Sequence, residues 1–177
     1  MSNVRFIADL HLGHRNMAIK RGFKDESEHD EHIIKQWNNV VHKNDTTYIL
    51  GDVTMEKATN YKILDRLVGH KIVVLGNHDM KNHVPKLLEH VNTVAGMIKY
   101  KSKIHRVSMF LTHCPIHPME LENRVGLNIH GHIHEHVVKK GLLFKNKDSR
   151  YICVSCEHVD YTPKLLDELI NNITLSR

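Results

Sequence analysis

Residues 71–79 read Lys71-Ile72-Val73-Val74-Leu75-Gly76-Asn77-His78-Asp79. The run from Lys71 to Leu75 is apolar and β-branched, so it predicts a buried strand. Gly76-Asn77 is turn chemistry and ends it. A turn has no need of the histidine that follows. In open α/β sheets, sites form outside the carboxyl ends of strands. An apolar strand that closes on polar, titratable residues fits that placement.

Working outward, the same pattern recurs. Val4-Arg5-Phe6-Ile7-Ala8 predicts a strand and is followed by Asp9-Leu10-His11. Thr46 to Leu50 predicts another and is followed by Gly51-Asp52. The stretch from Val94 to Leu111 predicts two strands around a basic turn, with His113 beyond them. Leu127 to His130 predicts a strand that runs into Gly131-His132-Ile133-His134, and Arg150 to Ser155 predicts one more. Helices are expected between the strands. One runs from a Ser27 cap through about Val41, with Ile33, Ile34, Trp37, Val40 and Val41 on one face. Lys57 to Val68 carries a Tyr61, Leu64, Leu67, Val68 stripe with Gly69 as its stop. Pro85 opens a short helix, and Thr162-Pro163 starts the last one, with Leu165, Leu166, Leu169 and Ile170 inward. The alternation gives an α/β class and a single domain over residues 1–177.

Composition bounds the function. The 177 residues, 41% hydrophobic and 25% charged, suit a folded domain with a real core. No apolar run is long enough to cross a membrane, and the N-terminus lacks a signal-peptide stretch, so a cytoplasmic protein without membrane contact is expected. Cys114, Cys153 and Cys156 are too few for a disulfide scaffold. Cys153 and Cys156 would face opposite sides of a strand and share no metal, and Cys114 diverges from His113 as a strand neighbour, so all three read as packing residues. The net charge of +5 agrees with an anionic substrate without requiring one.

The 17 histidines are nearly one residue in ten, and their placement matters more than their number. Asp9 and His11 are two apart, as are His132 and His134, and extended backbone would project each pair to one side. Asp52, Asn77 and His113 complete a mixed oxygen and imidazole set, which suits manganese, iron, nickel or zinc better than calcium or magnesium. Gly51, Gly76 and Gly131 would permit unusual backbone at the turns that aim these side chains.

Taken singly these features are ordinary. Gly51-Asp52 is a common turn signal, and a lone His113 would more often be a core or surface histidine. In order, Asp9-x-His11, Gly51-Asp52, Gly76-Asn77-His78-Asp79, His113 and Gly131-His132-x-His134 resemble the motifs of the calcineurin-like metallophosphoesterase superfamily. The tail, Cys156 to Pro163, is similar to the closing strand and helix of its small bacterial and phage members. The resemblance implies a β-sandwich of two mixed sheets flanked by α-helices, with no separate cap domain. It implies one metal held by Asp9, His11 and His134, a second by Asn77, His113 and His132, and Asp52 bridging both. His78 would lie near the scissile phosphate and Asn77 beside it, and His14 would contact the substrate or stand as a solvated loop residue. Two divalent ions, manganese in vitro, with iron, nickel or zinc as alternatives, would outweigh the two carboxylates and leave a positive centre for phosphate.

The implied function is hydrolysis of phosphate mono- or diesters by a metal-activated water or hydroxide. The implied partner is a small phosphate-ester substrate, with nucleic-acid ends also within scope and no obligate protein partner. Val53-Thr54-Met55-Glu56 replaces the longer signature of the protein serine/threonine phosphatases, which speaks against phosphoproteins. The alternative is a non-catalytic, histidine-rich metal-binding or scaffold protein on the same fold. Arg15, Lys20, Arg21 and Lys24 read as a basic rim beside the site or, more readily, as a solvated charged loop, and His29, His32, His42, His70, His83, His90, His105, His117 and His158 receive no function. His130 and His136 extend the alternation around His132 and His134 and are expected behind the ligands or at the surface.

Overall fold

The computed structural model describes residues 2–54, 61–79, 81–122, 125–141 and 145–174. It is a mixed α/β protein with two mixed sheets and surrounding helices. The first sheet is built on three parallel strands, β1 (Val4–Ile7), β2 (Thr46–Leu50) and β3 (His70–Val74). Short β4 (Thr93–Ala95) adds to it in parallel beside β3, and β11 (Lys164–Leu165) pairs antiparallel with β1. The second sheet has the order β10-β7-β6-β5, from Tyr151–Cys153, Leu127–His130, Val107–Leu111 and Ile98–Ser102. Only its β5–β6 pair is antiparallel. A two-stranded ribbon, β8 (Lys139–Lys140) with β9 (Asn146–Lys147), stands apart.

Both sheets feed one core. Phe6, Ile49 and Val73 from the first meet Met109, Leu111, Ile129 and Ile152 from the second in one buried cluster. Tyr100 of β5 packs its edge on Phe6 and Tyr48 of the first sheet, at 6.0 and 5.7 Å between centroids. The sheets are also joined through backbone at one end. Ala8 donates to Val154 O at 2.8 Å, and Cys156 donates back to Ala8 O at 3.1 Å. Because β1, β2 and β3 run parallel, and β6, β7 and β10 likewise, each set delivers its carboxyl ends to one edge.

Helix α1 (Arg15–Lys20) leads into α2 (Glu26–Val40). The cap of α2 is Asp25 and not Ser27: the Asp25 carboxylate accepts from Glu28 N at 2.9 Å, and Glu28 reaches back to Lys24 N at 2.7 Å. This reciprocal pairing satisfies two donors at once, which a serine inside the first turn would not do. Its inner face buries Ile33, Ile34 and Trp37, and the Trp37 indole donates to Val68 O at 2.9 Å. Short α3 spans Val84–Leu87, α4 spans Cys156–Val159 and α5 spans Leu166–Thr174.

Several sequence expectations change. The helix expected over Lys57 to Val68 is a 3-10 helix, Tyr61–Arg66, where described, and residues 57–60 lie outside the described residues. Val68 is exposed, because its carbonyl and not its side chain faces α2. The 94–111 stretch holds three strands, since Thr93–Ala95 leaves to finish the first sheet. Residues 164–165 are strand and α5 starts at Leu166, because β1 offers an open edge for pairing. The strand expected over Arg150 to Ser155, β10, stops at Cys153, and Cys156 opens α4, so the opposite-face argument for these cysteines does not hold. Both are packing thiols all the same, pushed up by burial to about 11 and about 12.

Trp37 is fully buried and bonds Val68 O, so it ties α2 to the loop before β3. Trp37→Ala should cost about 3–5 kcal/mol of unfolding free energy. Urea denaturation followed by circular dichroism measures it.

Candidate metal centre

The five predicted motifs converge. Asp9 and His11 follow β1, Asp52 follows β2, Asn77 and His78 follow β3, His113 follows β6, and His132 and His134 follow β7. Three groups of ligating atoms lie within 4.8 Å of one another: Asp9, His11 and His134; Asp9, Asp52 and His113; and His113, Cys114 and His132. Asp9, His11, Asp52 and His113 form a buried floor, at 0, 2, 2 and 4% exposure. Asn77 and His132 are exposed, and His78 and His134 are half-buried, so they form the rim. Beside the rim runs an open groove of about 370 Å³ lined by Lys20, Pro115, His132, His134 and His136.

The backbone that aims these groups is not the extended one expected. Asp9, His11, Asp52, His132 and His134 have φ of 57, 50, 52, 71 and 47°, in the left-handed region. They are five of the eight non-glycine residues with positive φ among the described residues. Each costs about 1–2 kcal/mol relative to ordinary backbone. Such strain persists only where the surroundings over-determine it, and it gathers at functional sites. The glycines also act differently from expectation. Of Gly51, Gly76 and Gly131 only Gly51 has positive φ; Gly76 and Gly131 serve by being small. A Cβ on Gly131 would overlap the Asp9 carboxylate, and one on Gly76 would overlap Asp52.

The floor gathers carboxylates and imidazoles out of water. Asp9 is held by His132 N at 2.9 Å and Ser155 Oγ at 2.7 Å, yet burial pushes its carboxyl up. Burial works the same way on Asp52, but His113 and the backbone N–H of His78 outweigh it and pull that carboxyl down. Neither ring nitrogen of His11 makes a hydrogen bond among the described residues, and Nε2 faces Asp52 Oδ2 at 3.7 Å. Burial drives its pKa down, so the ring is neutral and keeps a free lone pair. His113 donates from Nδ1 to Leu50 O at 2.9 Å. Its Nε2 faces Asn77 Oδ1 at 2.8 Å and Asp52 Oδ2 at 3.4 Å, and the Asp52 carboxylate raises the His113 pKa against burial. A divalent cation in place of that shared proton would be held by the same three groups. Two ligands at right angles on one ion, each ~2.1 Å away, are themselves about 3 Å apart. The donor set therefore fits divalent metal.

Behind the ligands lies a relay that sequence reasoning missed. His134 Nδ1 donates to Glu157 Oε1 at 3.1 Å, and this bond is the main reason the His134 pKa rises. Arg21 donates to the same Glu157 oxygen, to Asp9 O at 2.8 Å and to Leu10 O at 3.3 Å. Against burial, His134 and Arg21 hold Glu157 down at about 2. A second Arg21 bond reaches His29 Nε2 at 2.9 Å; His29 in turn donates to Asp30, whose carboxylate accepts from Gly13 N at 2.9 Å. Arg21 is thus not a solvated loop charge, nor His29 a surface histidine: their side chains are 2 and 0% exposed. Glu157 lies within the tail motif, but only burial distinguishes it from a surface acid.

Other assignments sharpen. His14 caps α1, its Nδ1 accepting from Met17 N at 3.2 Å, while its ring stands edge-on to His11 at 5.5 Å. It is therefore not a solvated loop residue. His78 stands 5.7 Å from the His11 ring. His130 is the only one of the four alternating histidines within β7, is fully buried, and donates to Gly131 O at 2.8 Å, while His136 is exposed. Asp79 is structural: it accepts from Gly76 N and Asp52 N, both at 2.8 Å, and from Val53 N at 3.1 Å. It thereby locks the β2 loop to the β3 loop.

Fold and site together define a mixed α/β protein with a buried carboxylate–imidazole cluster at the meeting edge of two sheets. The chain is 31% identical to an uncharacterized protein, MJ1445, of Methanocaldococcus jannaschii, over 98% of this chain and 92% of that one. It is 33% identical to the gene 66 protein of Mycobacterium phage L5, over 78% of this chain and 80% of the phage protein. The chain belongs to the family that these archaeal and phage proteins represent. A crystal structure of a protein of unknown function, AQ665 from Aquifex aeolicus, shares the fold with a TM-score of 0.73 at 24% identity, over 97% of this chain and 100% of that one. No protein-family model matches the chain.

Asp79→Asn replaces an acceptor oxygen with an amino group that meets an N–H head-on. One buried donor is left without a partner, which should lower stability by about 1–3 kcal/mol in chelator. Chemical denaturation of the two proteins measures the difference.

Proposed function

We propose that the chain is a dinuclear metal-dependent phosphoesterase of the calcineurin-like type, acting on phosphate mono- or diesters. The observation that carries this reading is the position of Asp52. Its Oδ2 lies 3.7 Å from His11 Nε2 and 3.4 Å from His113 Nε2, between the two halves of the cluster. A carboxylate so placed can serve two ions at once. Asp9, His11 and His134 would hold one, Asn77, His113 and His132 the other, and the two mixed sheets would form the sandwich of that superfamily.

The bound ions, manganese in vitro or iron, nickel or zinc, would supply Lewis acidity to water and to phosphoryl oxygens. The chain's residues supply the rest. Glu157 fixes the His134 ring and Leu50 O fixes the His113 ring, so both nitrogens are aimed before binding. Asp79 and His78 N hold Asp52 in place from two sides. The His78 ring, half-buried on the rim, is within reach of a phosphate over the floor, where it would donate to a phosphoryl or leaving oxygen. The open groove favours small phosphate esters, with exposed nucleic-acid ends as a second substrate class. No helix among the described residues is long and apolar enough to cross a membrane, so substrates would be met in water.

Hydrolysis of an aryl phosphodiester with manganese tests the reading. Asp52→Ala should abolish turnover and reduce bound metal as counted by mass spectrometry. His78→Ala should keep both ions and lose about 10²-fold or more in rate. Full activity of Asp52→Ala would sink the assignment, and metal loss in His78→Ala would reject its role at the substrate.

A further inference from the structure

Cys114 stands in the third ligand group, its Sγ within 4.8 Å of ligating nitrogens of His113 and His132. Its expected packing role rests on the premise that strand neighbours diverge. That premise fails because β6 ends at Leu111, and His113 and Cys114 lie in a bend. Consecutive side chains there reach the same centre. The His113 and His132 rings meet edge to face at 4.9 Å, with the thiol beside them. Cys114 is exposed, unlike the packing thiol Cys156, and is not in a disulfide.

The backbone under this thiol is built and not incidental. Thr112 Oγ1 donates to Cys114 O at 2.7 Å and accepts from Asn128 Nδ2 at 2.9 Å. Asn128 is fully buried in β7 and also bonds Phe110 O and Ile116 N, at 3.1 Å each. Gly131 N donates to His113 O at 2.9 Å, so the residues before His132 clasp the same bend. Neighbouring ligands on a tetrahedral ion, at ~2.1 Å for nitrogen and ~2.3 Å for sulfur, are about 3.6 Å apart, so these atoms would draw together on binding.

We infer that Cys114 is a thiolate ligand to the metal held by His113 and His132, and that it biases that position toward zinc, cobalt or another thiophilic ion over manganese. The inference rests on the dinuclear centre proposed above. On binding, the thiol proton passes to solvent and a metal–sulfur bond forms. The added negative charge and soft donor strengthen zinc far more than manganese, whose preferred ligands are oxygen.

Titration of the metal-depleted full chain with cobalt(II) tests this by absorption. Wild type should develop a near-ultraviolet thiolate-to-cobalt band. Cys114→Ser should lose that band, keep the visible cobalt bands and still hold two ions by mass spectrometry. Cys153→Ser should keep it. Zinc affinity should fall about tenfold or more in Cys114→Ser, with manganese affinity within about threefold of wild type. Cobalt binding without the near-ultraviolet band, or a band that survives Cys114→Ser, overturns the thiolate ligand and leaves the dinuclear centre standing. No cobalt bound by either protein overturns the centre and the inference with it.

Discussion

The structure turns on the burial of the Asp9 carboxylate. It belongs to the end of β1 in the first sheet, yet its bonds come from His132 N and Ser155 Oγ, which follow strands of the second. Its own N–H donates to Gly51 O at 3.0 Å, beyond β2. One side chain thus gathers the ends of both sheets. A buried carboxylate is costly unless paired, and Asp52 lies close enough to share a ligand group with it. Two acids in one buried floor call for positive charge. Arg21 faces the Asp9 backbone and Glu157 and not these two acids. The metal proposed above would supply it.

That need explains where the fold is strained. The left-handed residues at the ligand positions give up local stability, and tertiary bonds hold them there. His11 N donates to Asp52 O at 2.9 Å, locking two left-handed residues together across β1 and β2. Asp79 fastens Asp52 to the β3 loop. The floor is rigid because several strand ends share it, while Asn77, His78 and His132 on the rim remain open to solvent. A rigid, electron-rich floor under an accessible rim is a fitting arrangement for an anionic ligand to approach bound cations.

Much of this was legible in the chain. The turn residues after apolar runs marked each strand end, and the ordered histidines and carboxylates named the cluster before any fold was known. The stated reason was partly wrong: alternation on extended backbone does not bring Asp9 to His11 or His132 to His134, and left-handed kinks do. The chain of Gly13, Asp30, His29, Arg21, Glu157 and His134 was not legible, because each member alone looks like a surface polar residue. Helix ends were misplaced where tertiary contacts overrode local preference: Leu165 joined β1 as strand, and Val68 turned its side chain to water.

By itself the sequence determined the strand order of chemistry: which residues can ligate, and that each stands just past a β-branched run. Local residue type and periodicity suffice for that, since they act over a few positions. Only the tertiary structure decided which residues lose water. The fold brings Asp9, His11 and His113 onto one buried floor, pairs Arg21 with Glu157, and sets Cys114 beside His113 and His132. Desolvation and close approach depend on segments more than a hundred residues apart, such as Asp9 and His132, and no local pattern encodes them.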